Sequence, residues 1–191
     1  MKCSNHCRFI LFMIFFGTFL TVRLVHAGEN REGLLITVGG GVARSEINLK
    51  SVEGIDDTYS SSGFAFSARL GWCLTPNFLL YWDMRESAYF GYKPKNNDIY
   101  HAGLWSAIGS SLYLNKSPNT FYLTGALGLG DLETGEFNSD AIVGTGFSYL
   151  AGLGYLIKNK VGIELSTLNT KVTKKDFEAN SLRLTIYWQF L

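Results

Sequence analysis

Apolar side chains recur at every second position in one segment after another of this sequence. The C-terminal segment is the clearest case, because Leu182, Leu184, Ile186, Trp188 and Phe190 alternate with Arg183, Thr185, Tyr187 and Gln189. A repeat of two residues is the repeat of a β-strand whose faces meet different surroundings. The pattern therefore predicts an all-β protein.

The same alternation predicts eight strands. They cover residues 34–43, 64–74, 78–85, 100–114, 121–129, 147–157, 161–166 and 182–190. The repeat is weakest in 100–114, where we place Leu104, Ile108, Leu112 and Leu114 on the outward face. An even number of strands is what a single-chain bacterial barrel requires.

The lengths of the connections alternate in the same way. Short connections lie at 75–77, 115–120 and 158–160, and long ones lie near 44–63, 86–99, 130–146 and 167–181. Outer-membrane barrels have short periplasmic turns and longer extracellular loops. With the N-terminus in the periplasm, every long connection falls outside the cell.

The size of the apolar residues indicates which face points outward. Phe, Trp and Leu on every strand would overfill an eight-stranded barrel, whose interior is just wide enough for side chains. The opposite face is rich in Gly, Ala and Ser. We predict an eight-stranded antiparallel transmembrane up-and-down β-barrel with aromatic girdles at its ends. The alternative is a soluble sandwich or lipocalin-like barrel, in which the apolar face lies inside.

The N-terminus has the features of a secretory signal. Lys2 and Arg8 precede a 12-residue run without charge at 9–20, and Ala27 offers a cleavage site. We expect residues 1–27 to be the signal peptide and 28–191 to be the outer-membrane barrel domain. The alternative is an uncleaved inner-membrane anchor, for which 12 residues are short.

Cleavage changes the charge balance. The full chain has 17 basic and 16 acidic residues, and the signal removes Lys2, Arg8 and Arg23 but no acid, which leaves a formal charge of −2. This is not the clustered basic excess of a nucleic-acid-binding protein. Cys73 is the only cysteine of the mature chain, so an internal disulfide is excluded.

Five charged residues occupy the predicted inward face: Arg69, Asp83, Arg85, Glu164 and Arg183. The register of the second and third strands sets Arg69 opposite Asp83 and suggests an ion pair. Charges in a narrow lumen are costly unless they are paired. We therefore interpret the set as a structural network rather than as the lining of a pore.

The architecture resembles the small outer-membrane barrels, the group of the outer-membrane protein A transmembrane domain, the Ail- and OmpX-like proteins and the opacity-type proteins. The final strand, Leu182 to Phe190, resembles the C-terminal signal read by the barrel-assembly machinery, except that Leu191 follows the last aromatic residue. The resemblance implies a multi-pass protein of the bacterial outer membrane. Its partners would be membrane lipid, lipopolysaccharide and, transiently, the assembly machinery.

Function is less constrained than location. We predict a non-enzymatic surface barrel with no cofactor and no metal site, whose loops bind host or envelope components. One alternative is a lipid A-modifying enzyme with His101, the only histidine of the mature chain, as its base. Another is a narrow diffusion channel.

Overall fold

The computed structural model describes residues 31–52, 55–92, 99–135, 142–172 and 177–190. The predicted cleavage site at Ala27 lies outside these residues and stays a prediction. Eight strands form one closed antiparallel barrel in chain order. They are β1 (Gly33–Val52), β2 (Ile55–Thr75), β3 (Phe78–Tyr92), β4 (Ile99–Tyr113), β5 (Thr120–Gly135), β6 (Ile142–Ile157), β7 (Val161–Val172) and β8 (Phe177–Phe190). No helix in the described part of the chain is long and apolar enough to cross a membrane.

Exposure alternates along the strands as predicted. In β8 the inward residues Arg183, Thr185 and Tyr187 are at most 3% exposed, whereas Leu184 and Trp188 are 48% and 56% exposed. Ile108, Leu112 and Leu114 of the ambiguous strand also point outward, and the side chain of Leu104 lies outside the described set. The barrel is thus polar inside and apolar outside, as a membrane barrel must be.

The register fixes the shear of the barrel. A path that crosses the strands from one paired residue to the next starts at Ala88 in β3 and returns to β3 at Phe78, ten residues earlier, so the shear number is ten. The path runs through Phe64, Val42, Leu184, Leu165, Leu153, Leu123 and Leu112. This offset requires the strands to tilt, typically by about 40°. At about 3.3 Å per residue, the ten steps from Phe64 to Leu74 then rise by about 25 Å, the height of an apolar membrane band.

The prediction of four long loops is wrong. The segments 44–63, 86–99, 130–146 and 167–181 are mostly strand, because β1 continues to Val52 and β2 begins again at Ile55. Outside the membrane both faces of a strand meet water, so the alternation of apolar side chains ends there. Backbone pairing does not depend on this alternation and continues. The sequence pattern therefore marked only the membrane-embedded part of each strand.

The extramembrane part of the barrel divides into two groups of strands. Pairing between β2 and β3 ends at Ser62 and Phe90, and pairing between β6 and β7 ends at Phe147 and Lys171. Beyond these points the described residues pair only within the sets β7-β8-β1-β2 and β3-β4-β5-β6. We call the extramembrane parts of these two sets of strands the extracellular ribbons.

Matching outward residues across the short turns predicts that Leu74 pairs with Phe78, Leu114 with Phe121 and Ile157 with Val161. The structure agrees at two of these three turns. Ile157 pairs with Val161, and the Leu114 amide donates to the Phe121 carbonyl at 2.9 Å. At the β2–β3 turn Thr75 rather than Leu74 lies opposite Phe78, because the register shifts after Cys73. From Trp72 and Leu80 upward the predicted pairing is restored.

Inward tyrosines cover glycines on the neighbouring strands. Tyr122 lies opposite Gly154 and Tyr187 lies opposite Gly162. A Cβ added to either glycine would overlap the phenol ring facing it. These glycines make room for the aromatic filling of a narrow barrel.

We predict that Gly162→Ala destabilises the barrel. The new methyl group displaces the buried Tyr187 ring, and overpacking of this kind costs about 1–3 kcal/mol. Urea unfolding followed by the loss of heat-modifiable mobility on gels measures the change. Gly40→Ala is the control, because its Cβ would meet nothing closer than the Ala65 carbonyl at 3.7 Å. Equal effects of the two substitutions would contradict the packing argument.

Candidate functional site

The centre of the lumen holds an ion pair that crosses the barrel. Arg69 on β2 donates through Nη2 to both carboxylate oxygens of Glu164 on β7, at 2.8 Å and 2.6 Å. Tyr122 adds a hydrogen bond from its hydroxyl to Glu164 Oε2 at 3.0 Å. Glu164 is fully buried, so its charge depends on these donors. Arg69 lies midway between Phe64 and Leu74 and hence near the middle of the apolar band.

Asp83 and Arg85 on β3 extend this ion pair into a network. Arg85 Nε donates to Asp83 Oδ2 at 2.9 Å, and Arg85 Nη2 lies 2.9 Å from Glu164 Oε1. Asp83 lies directly opposite Arg69, as the register predicted, but their contact is the longest of the set, at 3.6 Å. The principal partner of Arg69 is therefore Glu164 on the far wall, which strand pairing alone did not indicate.

Arg183 on β8 stands apart from the carboxylates. Its guanidinium donates to the Ser87 hydroxyl at 2.7 Å and to the carbonyl oxygens of Phe66 and Glu86 at 2.9 Å and 3.2 Å. These partners are neutral, although Arg183 is fully buried. Four of the five predicted residues thus form one network, and Arg183 is held separately by hydrogen bonds to neutral groups.

A layer of tyrosines lies on the periplasmic side of this network. The Tyr81 hydroxyl contacts Thr124 Oγ1 at 2.5 Å, and the rings of Tyr113 and Tyr122 are 5.5 Å apart. Arg69 lies over the Tyr81 ring, 5.0 Å from its centroid. Charges and rings together occupy the lumen at this level.

Arg31, just before β1, lies under the periplasmic mouth. It is 1% exposed, stacks on Tyr113 at 4.4 Å, and donates to the carbonyl oxygens of Asn115 and Ser117 at 2.6 Å and 3.1 Å. Burial lowers the pKa of its guanidinium from the usual value. Sequence reasoning missed this residue, because nothing in its local pattern distinguishes it from a solvated arginine.

The periplasmic turns also contact one another. The Asn159 amide donates to the Pro118 carbonyl at 2.9 Å, and the Lys158 amide donates to Asn119 Oδ1 at 2.8 Å. Lys158 and Asn159 both have positive φ, 51° and 55°, which suits a tight hairpin turn. Together with Arg31, these turns form a floor beneath the tyrosine layer.

The enzymatic hypothesis concerns His101 and the serines of the same strand. His101 lies on β4 opposite Tyr89 and Thr134, but its side chain is outside the described set. Ser106 points to the outer wall and accepts a hydrogen bond from Trp82, whereas Ser111 points inward and contacts Thr124. These serines therefore lie on opposite faces of the strand. Among the described residues no three His, Cys, Asp or Glu side chains cluster as metal ligands do.

The predicted assembly signal forms β8, which closes the barrel against β1. Trp188 pairs with Val38 on β1 and with Val161 on β7. Leu182, Leu184, Ile186, Trp188 and Phe190 all point outward. Their exposure leaves one continuous apolar stripe along the last strand, and recognition by the assembly machinery stays a prediction.

We predict that Glu164→Gln strongly destabilises the barrel. Loss of one carboxylate leaves Arg69 and Arg85 with Asp83 alone, and breaking a buried ion pair costs about 3–5 kcal/mol. Urea unfolding of the refolded protein in detergent micelles measures the change. Glu46→Gln, on the exposed outer side of β1, is the matched control and should alter stability by no more than about 0.5 kcal/mol. A small effect at Glu164 would contradict the network.

We predict that Arg31→Ala loosens the periplasmic floor without unfolding the barrel. The turn at 114–119 loses two hydrogen bonds from a charged donor, so hydrogen exchange at its amides should accelerate. Exchange of amides in the middle of β4 and β5 should stay unchanged. Lys160→Ala, at an exposed position of the next turn, is the control, and equal exchange in both variants would refute the role of Arg31.

Comparison with solved structures identifies the fold. The chain is similar to Ail, the attachment invasion locus protein of Yersinia pestis, with 16% identity over 83% of this chain and 99% of that chain and a TM-score of 0.56; that structure holds the heparin analogue sucrose octasulfate. It is similar to Neisserial surface protein A with 17% identity over 80% of this chain and 96% of that chain and a TM-score of 0.54. No protein-family model and no curated protein matches the sequence. The closed topology, the apolar exterior and these likenesses together show that the chain has the eight-stranded fold of the small outer-membrane β-barrels.

Proposed function

We propose that this protein is a non-enzymatic surface barrel that contributes to the integrity of the outer membrane and binds an external component through its extracellular ribbons. The observation that carries the proposal is the contrast between a filled lumen and strands that continue well beyond the membrane. The barrel supplies a rigid anchor, and the ribbons supply the surface.

The filled lumen argues against a channel. Arg69, Arg85, Asp83 and Glu164 bridge β2, β3 and β7 across the interior. Any solute larger than a few waters would have to separate buried ion pairs in order to pass. Such separation is costly in a low-dielectric interior.

The extracellular ribbons offer a recognition surface of mixed charge. In the sequence, acidic residues outnumber basic ones in the segments 44–63 and 130–146, with Glu53, Asp56 and Asp57 in the first. The segments 86–99 and 167–181 carry lysines in near balance with acidic residues, with Lys174 and Lys175 in the last. Acidic and lysine-containing segments thus alternate along the chain. Complementary charge steers a partner and selects its orientation.

This alternation favours a protein partner over a uniform polyanion. The Ail structure holds a heparin analogue, and a ligand of that kind requires a concentrated basic surface. No extracellular segment of this sequence has a basic excess of more than one charge, and the acidic segments 44–63 and 130–146 would repel a sulfated chain. We therefore propose a host or envelope protein as the ligand.

The test separates the anchor from the ribbon. A shortened variant replaces residues 46–60 with Asn-Gly, which keeps Ser45 beside Ser61 and suits a two-residue hairpin turn. Cells that lack the protein receive either the wild type or this variant. Both should restore resistance to detergent and prevent leakage of a periplasmic marker, whereas only the wild type should restore adhesion to cultured host cells.

Two results would overturn the proposal. Adhesion that is equal with the wild type and the shortened variant would remove the role of the β1–β2 hairpin. A lipid A mass spectrum that changes with expression of the wild type and reverts in His101→Ala would replace the surface barrel with the enzymatic alternative.

A further inference from the structure

The lipid-facing wall carries an apolar groove across β1 to β4. Its volume is about 330 Å³, and it is lined by Leu34, Leu70, Trp72, Leu80, Trp82 and Ile108. Each of these side chains is between 44% and 69% exposed. The groove lies inside the apolar band and is continuous with the surface that contacts membrane lipid.

The register explains the shape of the groove. One row of cross-strand neighbours is Leu34, Trp72 and Leu80, and the next row is Leu70, Trp82 and Ile108. Each row therefore contains one indole, and the two indoles lie on adjacent strands, offset diagonally. Gly71, inward between Leu70 and Trp72, adds no side chain to the wall.

One side of the groove is fixed in position. The Trp82 indole Nε1 donates to Ser106 Oγ on β4 at 2.8 Å. This bond satisfies the polar atom of the indole within the hydrocarbon layer, where an unpaired donor is costly. It also restricts rotation of the ring, so the groove is preformed.

The groove occupies the periplasmic half of the apolar band. Trp72 lies close to the β2–β3 turn at 76–77, and its partner Leu80 lies two residues after the strand begins at Phe78. Leu70 and Trp82 lie one step nearer the middle of the band, next to the level of Arg69 and Asp83. The groove therefore runs through the depth of one leaflet.

We propose that this groove is a binding site for one acyl chain of a phospholipid from the periplasmic leaflet. An acyl chain matches the mainly apolar lining and the preformed walls. Because the chain leaves one apolar surrounding for another, close van der Waals packing against the two indoles drives its binding. The depth selects the phospholipid leaflet over the outer leaflet. The site is separate from the extracellular ribbons, so its test does not depend on the ligand proposed for them.

Native mass spectrometry of the protein extracted from membranes in mild detergent tests this proposal. The wild type should retain one additional mass, and fragmentation of the adduct should release a phospholipid. Leu70→Phe fills the space between the two indoles and should reduce the fraction of protein that carries the adduct by at least about tenfold, equivalent to about 1.4 kcal/mol. Leu80→Phe provides a second filling variant if the first assembles poorly.

Leu153→Phe is the matched control, because Leu153 on β6 is 53% exposed on another part of the outer wall. Its adduct should equal that of the wild type. An adduct that fragments as lipid A would refute the leaflet assignment. Equal adducts in Leu70→Phe, Leu153→Phe and the wild type, or none in any of them, would refute the site.

Discussion

In the hydrocarbon core of a membrane every backbone N–H and C=O must find a partner within the protein, and this requirement shapes the whole barrel. A sheet satisfies it only by closing on itself, because an open edge would expose a row of unpaired groups. Here β8 closes against β1 over fourteen residue pairs, from Ile36–Phe190 to Leu49–Phe177. Closure then dictates the rest, since one face of each strand meets lipid and the other meets a narrow lumen.

The lumen is narrow, and charged and aromatic side chains of this chain occupy its centre. Arg69 and Glu164 reach from opposite walls, and Tyr122 and Tyr187 occupy space left by glycines across from them. The charge network connects β7 to β2 and β3, and neither of these two strands is a neighbour of β7 in the sheet. Such cross-lumen contacts stiffen the barrel, and stiffness suits an anchor for an exposed surface.

The sequence predicted the membrane-embedded fold well because lipid imposes a strict repeat of two residues. Strand number, orientation and inward or outward direction all follow from that repeat, including the outward direction of Ile108 and Leu112 in the ambiguous strand. The repeat stops where lipid stops, so the extension of β1 to Val52 had no apolar signature. Pairing across the lumen also left no signature, because a face assignment does not say which opposite residue a side chain reaches. Arg31 was missed because it precedes the first alternating segment and its local sequence resembles that of a solvated arginine.

We propose that side chains close the interior of this barrel and that its function lies on its surfaces. The most direct test is the current through a planar lipid bilayer after insertion of folded, heat-modifiable protein. We expect the current to stay at the baseline of the bare bilayer at moderate voltage. Reproducible discrete conductance steps from the wild-type protein would contradict it and would place a continuous pore where the structure shows Arg69, Asp83, Arg85 and Glu164 in contact.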